Sequence, residues 1–254
     1  MCTGKATKQI DRLQAGTKEY VATLQLGQTT PSYDLETQVD ATYPTDHITL
    51  DLIHRILPRF MGRIEQIPPA FSAVKIDGHR AYNLARKGGH EEVEKILKPK
   101  VLVIDELEVV SFDAPTMQLT LRVVCSKGTY IRVLLEEIAE AMGQKGTMSA
   151  LRRVAAGVYT EADAHSLEEI QAAKNAGPEA LQALMLPVES VFTSLPLLVA
   201  DERVEQHLYN GCPTSRYPAA DGRYRVRNAQ GQFLGLANVT GGVLRVEKLF
   251  VERN

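Results

Sequence analysis

Arg132 is the residue that demands most of its surroundings. It closes the run Cys125-Ser-Lys-Gly-Thr-Tyr-Ile-Arg132, in which a strand ends, a glycine permits a tight turn and a helix opens. A helix N-terminus presents free N–H groups and partial positive charge, which suits a phosphate or a carboxylate. Arg132 lies off the apolar stripe of that helix, in its first turn, where the helix dipole disfavours a cation. A buried carboxylate or a nucleic-acid phosphate would offset that cost; an ordinary surface arginine is the alternative. Two further features carry side chains suited to the same chemistry. Lys18-Glu19-Tyr20 opens the first clear strand, and its tyrosine is either part of the sheet surface or a ring that stacks on a base. In Ala150-Leu-Arg-Arg-Val-Ala-Ala-Gly157, Arg152 and Arg153 interrupt an otherwise apolar strand; a half-buried strand with polar edges is the plainer reading.

Other chemistry finds little support. There is no phosphate-binding loop, GxGxxG, HExxH or GxSxG. His47, His54, His79, His90, His165 and His207 form no ligand spacing. Cys2, Cys125 and Cys212 are far apart and odd in number, matching neither a disulfide framework nor a zinc site. A reducing cytoplasm suits them best.

The elements that must position these residues follow from periodicity. Thr7–Gln14 reads as a short helix. Glu19–Gly27 alternates, with Tyr20, Ala22, Leu24 and Leu26 on one face of a strand. Residues 30–44 are polar and turn-rich, hence a loop. Asp46–Phe60 has helical spacing. After Pro68-Pro69 come a short strand (Ala73–Ile76), a turn at Asp77-Gly78 and a helix (Ala81–Lys87) closed by Gly88-Gly89. Val101–Phe112 and Met117–Cys125 are longer strands. Ile131, Leu134, Leu135, Ile138 and Met142 make Tyr130–Met142 an amphipathic helix. Thr147–Ala156 is a strand, and Leu167–Ala176 and Glu179–Leu184 are helical. Beyond Pro196, Arg223–Asn228, Gln232–Asn238 and Val243–Val251 are strands separated by Gln230-Gly231 and Gly241-Gly242. The fold class is α+β with a mixed or antiparallel sheet and a small β-rich module from about Leu195 onward.

At 254 residues, 44% hydrophobic and 24% charged, the composition is that of a soluble globular protein. No run approaches the roughly 18 apolar residues of a membrane span, and no signal peptide is evident. The net charge of −2 argues mildly against a nucleic-acid partner. Local distribution argues the other way. From Arg223 to the end there are six basic residues and two acidic ones, and between Lys75 and Lys100 basic residues outnumber acidic ones seven to four. A folded chain could gather these into one basic face; solvated surface charge is the alternative.

Taken in order, these pieces resemble the TruB-type tRNA pseudouridine synthases. Leu26-Gly27, Gln28-Thr29-Thr30 and Asp34 are similar to that family's strand ending in LG and its polar loop. Pro68–Tyr82 with Ala85-Arg86-Lys-Gly88 resembles its RNA-clamping insertion, about residues 66–100. Cys125–Arg132 and Leu151-Arg152-Arg153 follow, and Phe233-Leu-Gly235 through Phe250 resembles its PUA-type RNA-binding domain. The resemblance implies a catalytic domain over residues 1–194 and a PUA-like domain over 195–254.

It further implies a cytoplasmic, monomeric enzyme. That enzyme would isomerise uridine to pseudouridine at position 55 in the T-loop of tRNA, with no cofactor and no metal, on a base flipped from the loop. By motif matching, Tyr20 is the tyrosine that stacks on the flipped base, and Arg132 pairs with the catalytic aspartate. Leu151 lines the pocket with Tyr130 nearby. Lys127, Arg152, Arg153, Lys75, Tyr82 and Arg86 belong to the RNA-binding motifs. The family aspartate sits in a GxLDxxAxG segment that these 254 residues do not contain. The chain therefore reads as truncated at its N-terminus and inactive as it stands, or as a catalytically dead tRNA-binding protein. Two expectations follow: Arg132 lacks its partner, and Asp34, placed elsewhere in the motif order, does not substitute for the aspartate.

Overall fold

The computed structural model describes residues 2–76, 78–85 and 90–251. The predicted turn at Asp77, the end of the predicted helix at Lys87, the Gly88-Gly89 closure and Arg86 lie outside them. The chain divides into two compact units, Arg12–Asp163 and Met1–Asp11 with Ala164–Asn254.

After a 3-10 turn (Gly4–Gln9) and α1 (Ile10–Ala15), the first unit is built on β1 (Lys18–Leu26). The short pair β2 (Gln28–Thr29) and β3 (Ala41–Thr42) brackets a loop. α2 (Leu50–Ile56) is followed by the edge strand β4 (Gly62–Gln66), the hairpin β5 (Lys75–Ile76) and β6 (His79–Arg80), and helices α3 (Ala81–Leu84) and α4 (His90–Ile96). Then come β7 (Lys100–Asp113), β8 (Gln118–Cys125), α5 (Ile131–Ala141), β9 (Gly146–Ala156) and β10 (Tyr159–Thr160). Six strands form one sheet in the order β10-β9-β1-β8-β7-β4, and every neighbouring pair is antiparallel.

The alternation read in β1 decides which face is covered. Ala22, Leu24 and Leu26 are buried, and their cross-strand neighbours Leu121 and Leu119 on β8 lie beneath the same layer. α5 covers this face, with Ile131, Leu134, Leu135, Ile138 and Ala139 buried in the shared core. Each leucine or isoleucine among them contributes about 1.5–3 kcal/mol when fully buried. The opposite face carries Glu19, Thr23, Arg122 and Thr120, as an antiparallel sheet with one solvated face should.

Local chemistry explains where helices begin. The helix predicted over Asp46–Phe60 starts only at Leu50, because the Thr49 side chain accepts from the Leu52 amide and caps it. Ile48 and Ile53 are buried at the positions of a hydrophobic staple. Residues Leu57–Phe60, with Pro58, tighten into a 3-10 turn. The insertion has its own small core of Ala70, Ala81, Ala85, Val93 and Leu97.

In the second unit, α6 (Leu167–Ala176) opens on a capping box between Ser166 and Glu169, and α7 (Pro178–Ala183) follows. β11 (Leu197–Ala200) leads to α8 (Glu202–Tyr209), whose N-terminus is capped by Asp201. β12 (Thr214–Ser215), β13 (Gly222–Asn228), β14 (Phe233–Thr240) and β15 (Val243–Leu249) complete a five-stranded sheet in the order β11-β13-β14-β15-β12. β11 runs parallel to β13 and the other pairs are antiparallel, so this is the mixed sheet of the expected β-rich, PUA-like module.

The basic stretch of this module is largely consumed internally. Arg225 and Arg227 both bind the buried Glu189, and Arg223 binds Glu247. Burial pushes the Glu189 carboxyl up, but hydrogen bonds and charge from Arg227 and Arg225 outweigh it and leave it below the ordinary value. Three of the six cations counted in the sequence thus serve the fold rather than an outward basic face.

Gly235 marks the tightest packing in this sheet. A Cβ there would sit 2.0 Å from the Lys248 carbonyl oxygen and 3.0 Å from Leu249 Cα, both backbone atoms that cannot swing away. Gly235→Ala is expected to force β14 and β15 apart and cost about 1–3 kcal/mol. Hydrogen exchange should show lost protection in residues 222–249; unchanged protection would contradict this packing.

Candidate functional site

The turn between β8 and α5 is tied at both ends. The Ser126 hydroxyl accepts from the Val103 amide at 2.9 Å, and the Thr129 hydroxyl donates to the Ser126 carbonyl at 2.9 Å. Gly128 takes φ 88°, the left-handed conformation that glycine adopts without steric cost. The helix N-terminus is gripped by Gln66 of β4, which is 1% exposed. Its amide oxygen accepts from the Tyr130 N–H at 2.8 Å, and its amide nitrogen donates to the Tyr130 carbonyl at 3.3 Å. No sequence pattern marks β4, an edge strand with one apolar side chain, and so none marks Gln66.

Arg132 is not left unpaired. Its guanidinium donates from Nη1 to Oδ2 of Asp34 and from Nη2 to the Phe71 carbonyl. The two charged side chains are 14% and 17% exposed. This corrects the expectation that the arginine lacks a carboxylate. Asp34 lies 98 residues away in sequence, in a loop whose turns, not its order among motifs, decide where it points. Tyr33 takes φ 62°, and its carbonyl accepts from the Met148 amide of β9 at 3.0 Å. Asp34 Oδ1 accepts from the Ser32 hydroxyl at 2.7 Å and from the Glu36 amide at 3.0 Å, as in an Asx turn. The Thr30 hydroxyl donates to the Asp34 carbonyl at 2.7 Å.

Burial pushes the Asp34 carboxyl up, but the bonds from Ser32, the Glu36 amide and Arg132, with the arginine's charge, bring it below the ordinary value. A cavity of about 780 Å³ opens nearby, with Tyr33, Tyr43, Glu136, Glu137 and Glu140 in its wall. Burial there pushes Glu137 up to about 7, against a hydrogen bond from Gln66 and with repulsion from Glu140.

The sheet face covered by α5 collects several of the other candidates. Tyr20 packs against the core on this face. Its neighbour on β9 is Arg153, and the neighbour of Ala22 is Leu151, which is 46% exposed. Burial, more than any charge, raises the Tyr20 phenol, and the Arg153 guanidinium beside it pulls the other way. Lys127 stands exposed on the turn beyond Cys125. Arg152 is not brought to this group. It pairs with Val21 on the opposite face and is bound by Glu161. Lys75 is exposed on the β5–β6 hairpin, and Tyr82, half-buried, lies under the Arg80 guanidinium. The Phe71 carbonyl joins the base of this insertion to Arg132. Arg86 lies outside the described residues.

Among the described residues, no group of three or more His, Cys, Asp or Glu side chains could hold a metal, and no helix is long and apolar enough to cross a membrane. Cys2, Cys125 and Cys212 are all free.

The fold has solved counterparts. A Cbf5–Nop10–Gar1 complex aligns with a TM-score of 0.66 at 20% identity, covering 99% of this chain and 72% of the other. An H/ACA ribonucleoprotein bound to a substrate RNA containing 2′-deoxyuridine aligns with a TM-score of 0.68 at 19% identity, over 100% and 72%. These likenesses define the class: an α+β fold shared with the Cbf5 structures.

Sequence comparison narrows it. The model of the TruB family pseudouridylate synthase N-terminal domain matches residues 1–131, and that of the tRNA pseudouridylate synthase B C-terminal domain matches residues 132–193. The chain is 39% identical over 243 residues to tRNA pseudouridine synthase B of Pseudomonas fluorescens, covering 94% of this chain and 77% of that protein. It is 56% identical over 168 residues to the Phocaeicola vulgatus protein of that name, covering 66% and 69%. With the Bacteroides fragilis protein it is 59% identical over 157 residues, 62% of this chain and 65% of the other. The chain belongs to the TruB family of pseudouridylate synthases.

The Asp34–Arg132 pair makes stability depend on pH. A carboxyl whose folded pKa is depressed contributes stability that is complete above its unfolded value, about 3.9, and disappears as pH falls through the folded value. Asp34→Asn is expected to cost about 1–3 kcal/mol near neutral pH. The difference from the unaltered chain should shrink below pH about 4. Urea unfolding across that range measures it, and a penalty that does not change with pH would contradict the ion pair.

Proposed function

We infer that this chain serves the isomerisation of uridine to pseudouridine at position 55 in the T-loop of tRNA, on a base flipped out of the loop. The observation that carries the reading is the Arg132 cluster. A strand–turn–helix segment holds a guanidinium between a carboxylate and a carbonyl, and the neighbouring sheet face presents Tyr20, Leu151 and Arg153. Family membership supports it, as does the name that the Pseudomonas and Bacteroides relatives share.

In this reading Tyr20 stacks on the flipped base and Leu151 closes the pocket. Arg132 keeps a carboxylate ionised beside the sugar, and Lys127, Arg153, Lys75, Tyr82 and Arg86 meet the RNA strand. Arg152, bound by Glu161 on the other face, has at most an indirect part. The protein acts as a cytoplasmic monomer without metal or cofactor. A catalytic domain ending near residue 194 and a PUA-like RNA-binding domain beyond it share the substrate.

The carboxylate that the family uses lies in a GxLDxxAxG segment that is not among these 254 residues. Asp34 is already committed to Arg132, Ser32 and Glu36, so it is not free to attack or to take a proton. These 254 residues are therefore proposed to grip the T-arm without turning it over.

The test is tritium release from C5-labelled uridine in a T-arm RNA, run beside a binding titration of the same RNA. The expected result is binding that discriminates against an unrelated hairpin, without release. Release abolished by Asp34→Ala would overturn the role given to Asp34. Absence of any preference for the T-arm would overturn the substrate.

A further inference from the structure

Lys18 opens β1 opposite Cys125 of β8 and Ala156 of β9, so it stands at one end of the sheet, on an interior strand. Lys127 lies two residues past Cys125, on the turn that leaves the same end of the sheet. Arg153 reaches it by the alternation of β9. Leu151 faces Ala22, Arg152 faces Val21 and Arg153 faces Tyr20 in regular register. Successive side chains of a strand point to opposite faces. A guanidinium therefore stands on the Tyr20 side of the sheet, while the adjacent Arg152 stays on the other side with Glu161.

Three cations from three segments thus converge, close enough that Arg153 and Lys127 both help to lower the pKa of Lys18, after the larger effect of its burial. Glu19, the nearest carboxylate in sequence, faces away and is bound by Arg122. Among the described residues none of the three has an acidic partner. Gathering like charges without a counter-ion is unfavourable in the free protein, and an anion seated among them would relieve it.

We propose that Lys18, Lys127 and Arg153 form one anion site that holds a phosphodiester of the bound RNA strand beside Tyr20. Resting on the tRNA reading above, it names the part of the substrate held there and adds Lys18 to the residues that hold it. The three side chains differ in role. Lys127 is exposed and free to meet the phosphate directly. Lys18 also donates to the carbonyls of Gln14 and Gly16, which fixes its ammonium in place. Arg153 stands opposite Tyr20 across the strand pair and so couples the backbone grip to the position of the ring. A strand anchored at this phosphate would present its adjoining nucleotide to the face of Tyr20.

The test uses the full chain and a fluorescent T-arm RNA, with affinity measured across a range of salt. Lys127→Ala and Arg153→Gln are the informative variants, because Lys18 also braces its own loop. Each is expected to weaken binding several-fold and to lower the slope of log affinity against log salt by about 0.7–0.9, the value for one lost phosphate contact. A neutral methylphosphonate is then placed at each phosphate flanking the target uridine in turn. At one position the unaltered chain and both variants should become equal in affinity.

Unchanged slopes, or no methylphosphonate position at which variants and unaltered chain converge, would overturn the proposal. If the variants lower the slope equally on the T-arm and on an unrelated hairpin that binds as well, the anion site stands and the tRNA reading falls. If the T-arm is preferred and the variants have no effect, the tRNA reading stands and the site falls.

Discussion

A guanidinium in the first turn of a helix works against the helix dipole, and everything around Arg132 can be understood as the means of holding it there. Asp34 supplies the opposing charge and Phe71 the second acceptor. Those two contacts bring together three stretches of chain that share no regular secondary structure: the loop after β2, the base of the β5–β6 insertion and the start of α5. Gln66 adds a fourth tie, from β4 to Tyr130. The arginine therefore serves as the local keystone as well as a charge in the site. Its loss would release the loop and the insertion together.

The sheet provides what the ion pair cannot, a flat and rigid surface on which side chains face a known way. β1 is central, with β8 on one side and β9 on the other, and its alternation sends Tyr20 to the α5 side and Glu19 to the solvated side. The same alternation in β9 separates two adjacent arginines. Arg153 turns toward Tyr20, and Arg152 turns away to Glu161. Identical side chains one residue apart have different work because the side-chain period of a strand is two.

Much of this arrangement was legible from the residues. The alternation of β1 and the apolar stripe of α5 located the layer that carries the site. The Cys125–Arg132 run pointed to a helix start in need of an anion. What the sequence withheld was long-range. The partner of Arg132 lies 98 residues away, and nothing in a polar loop announces which of its carboxylates a turn will aim inward. β4 and α4 were missed because the first carries one apolar side chain and the second is mostly charged. α8 was missed although Asp201, with Glu202 and Glu205 in the first turn, was a usable start signal. The basic count near the C-terminus was correct, but its meaning depended on Glu189, which no local pattern connects to Arg225 and Arg227. Thr49 shows the same limit at short range: helical spacing ran past it, and a single capping hydrogen bond set the boundary.

The most direct test of the keystone role is a double-mutant cycle between Asp34 and Arg132, read by urea unfolding of the unaltered chain, Asp34→Asn, Arg132→Gln and the double variant. If the pair holds the loop and helix together, the two substitutions should be strongly non-additive. The second should cost little once the first is made, with a coupling of about 1–3 kcal/mol. Additive effects, agreeing within about 0.5 kcal/mol, would mean that Asp34 and Arg132 act independently and that the site is organised by something else.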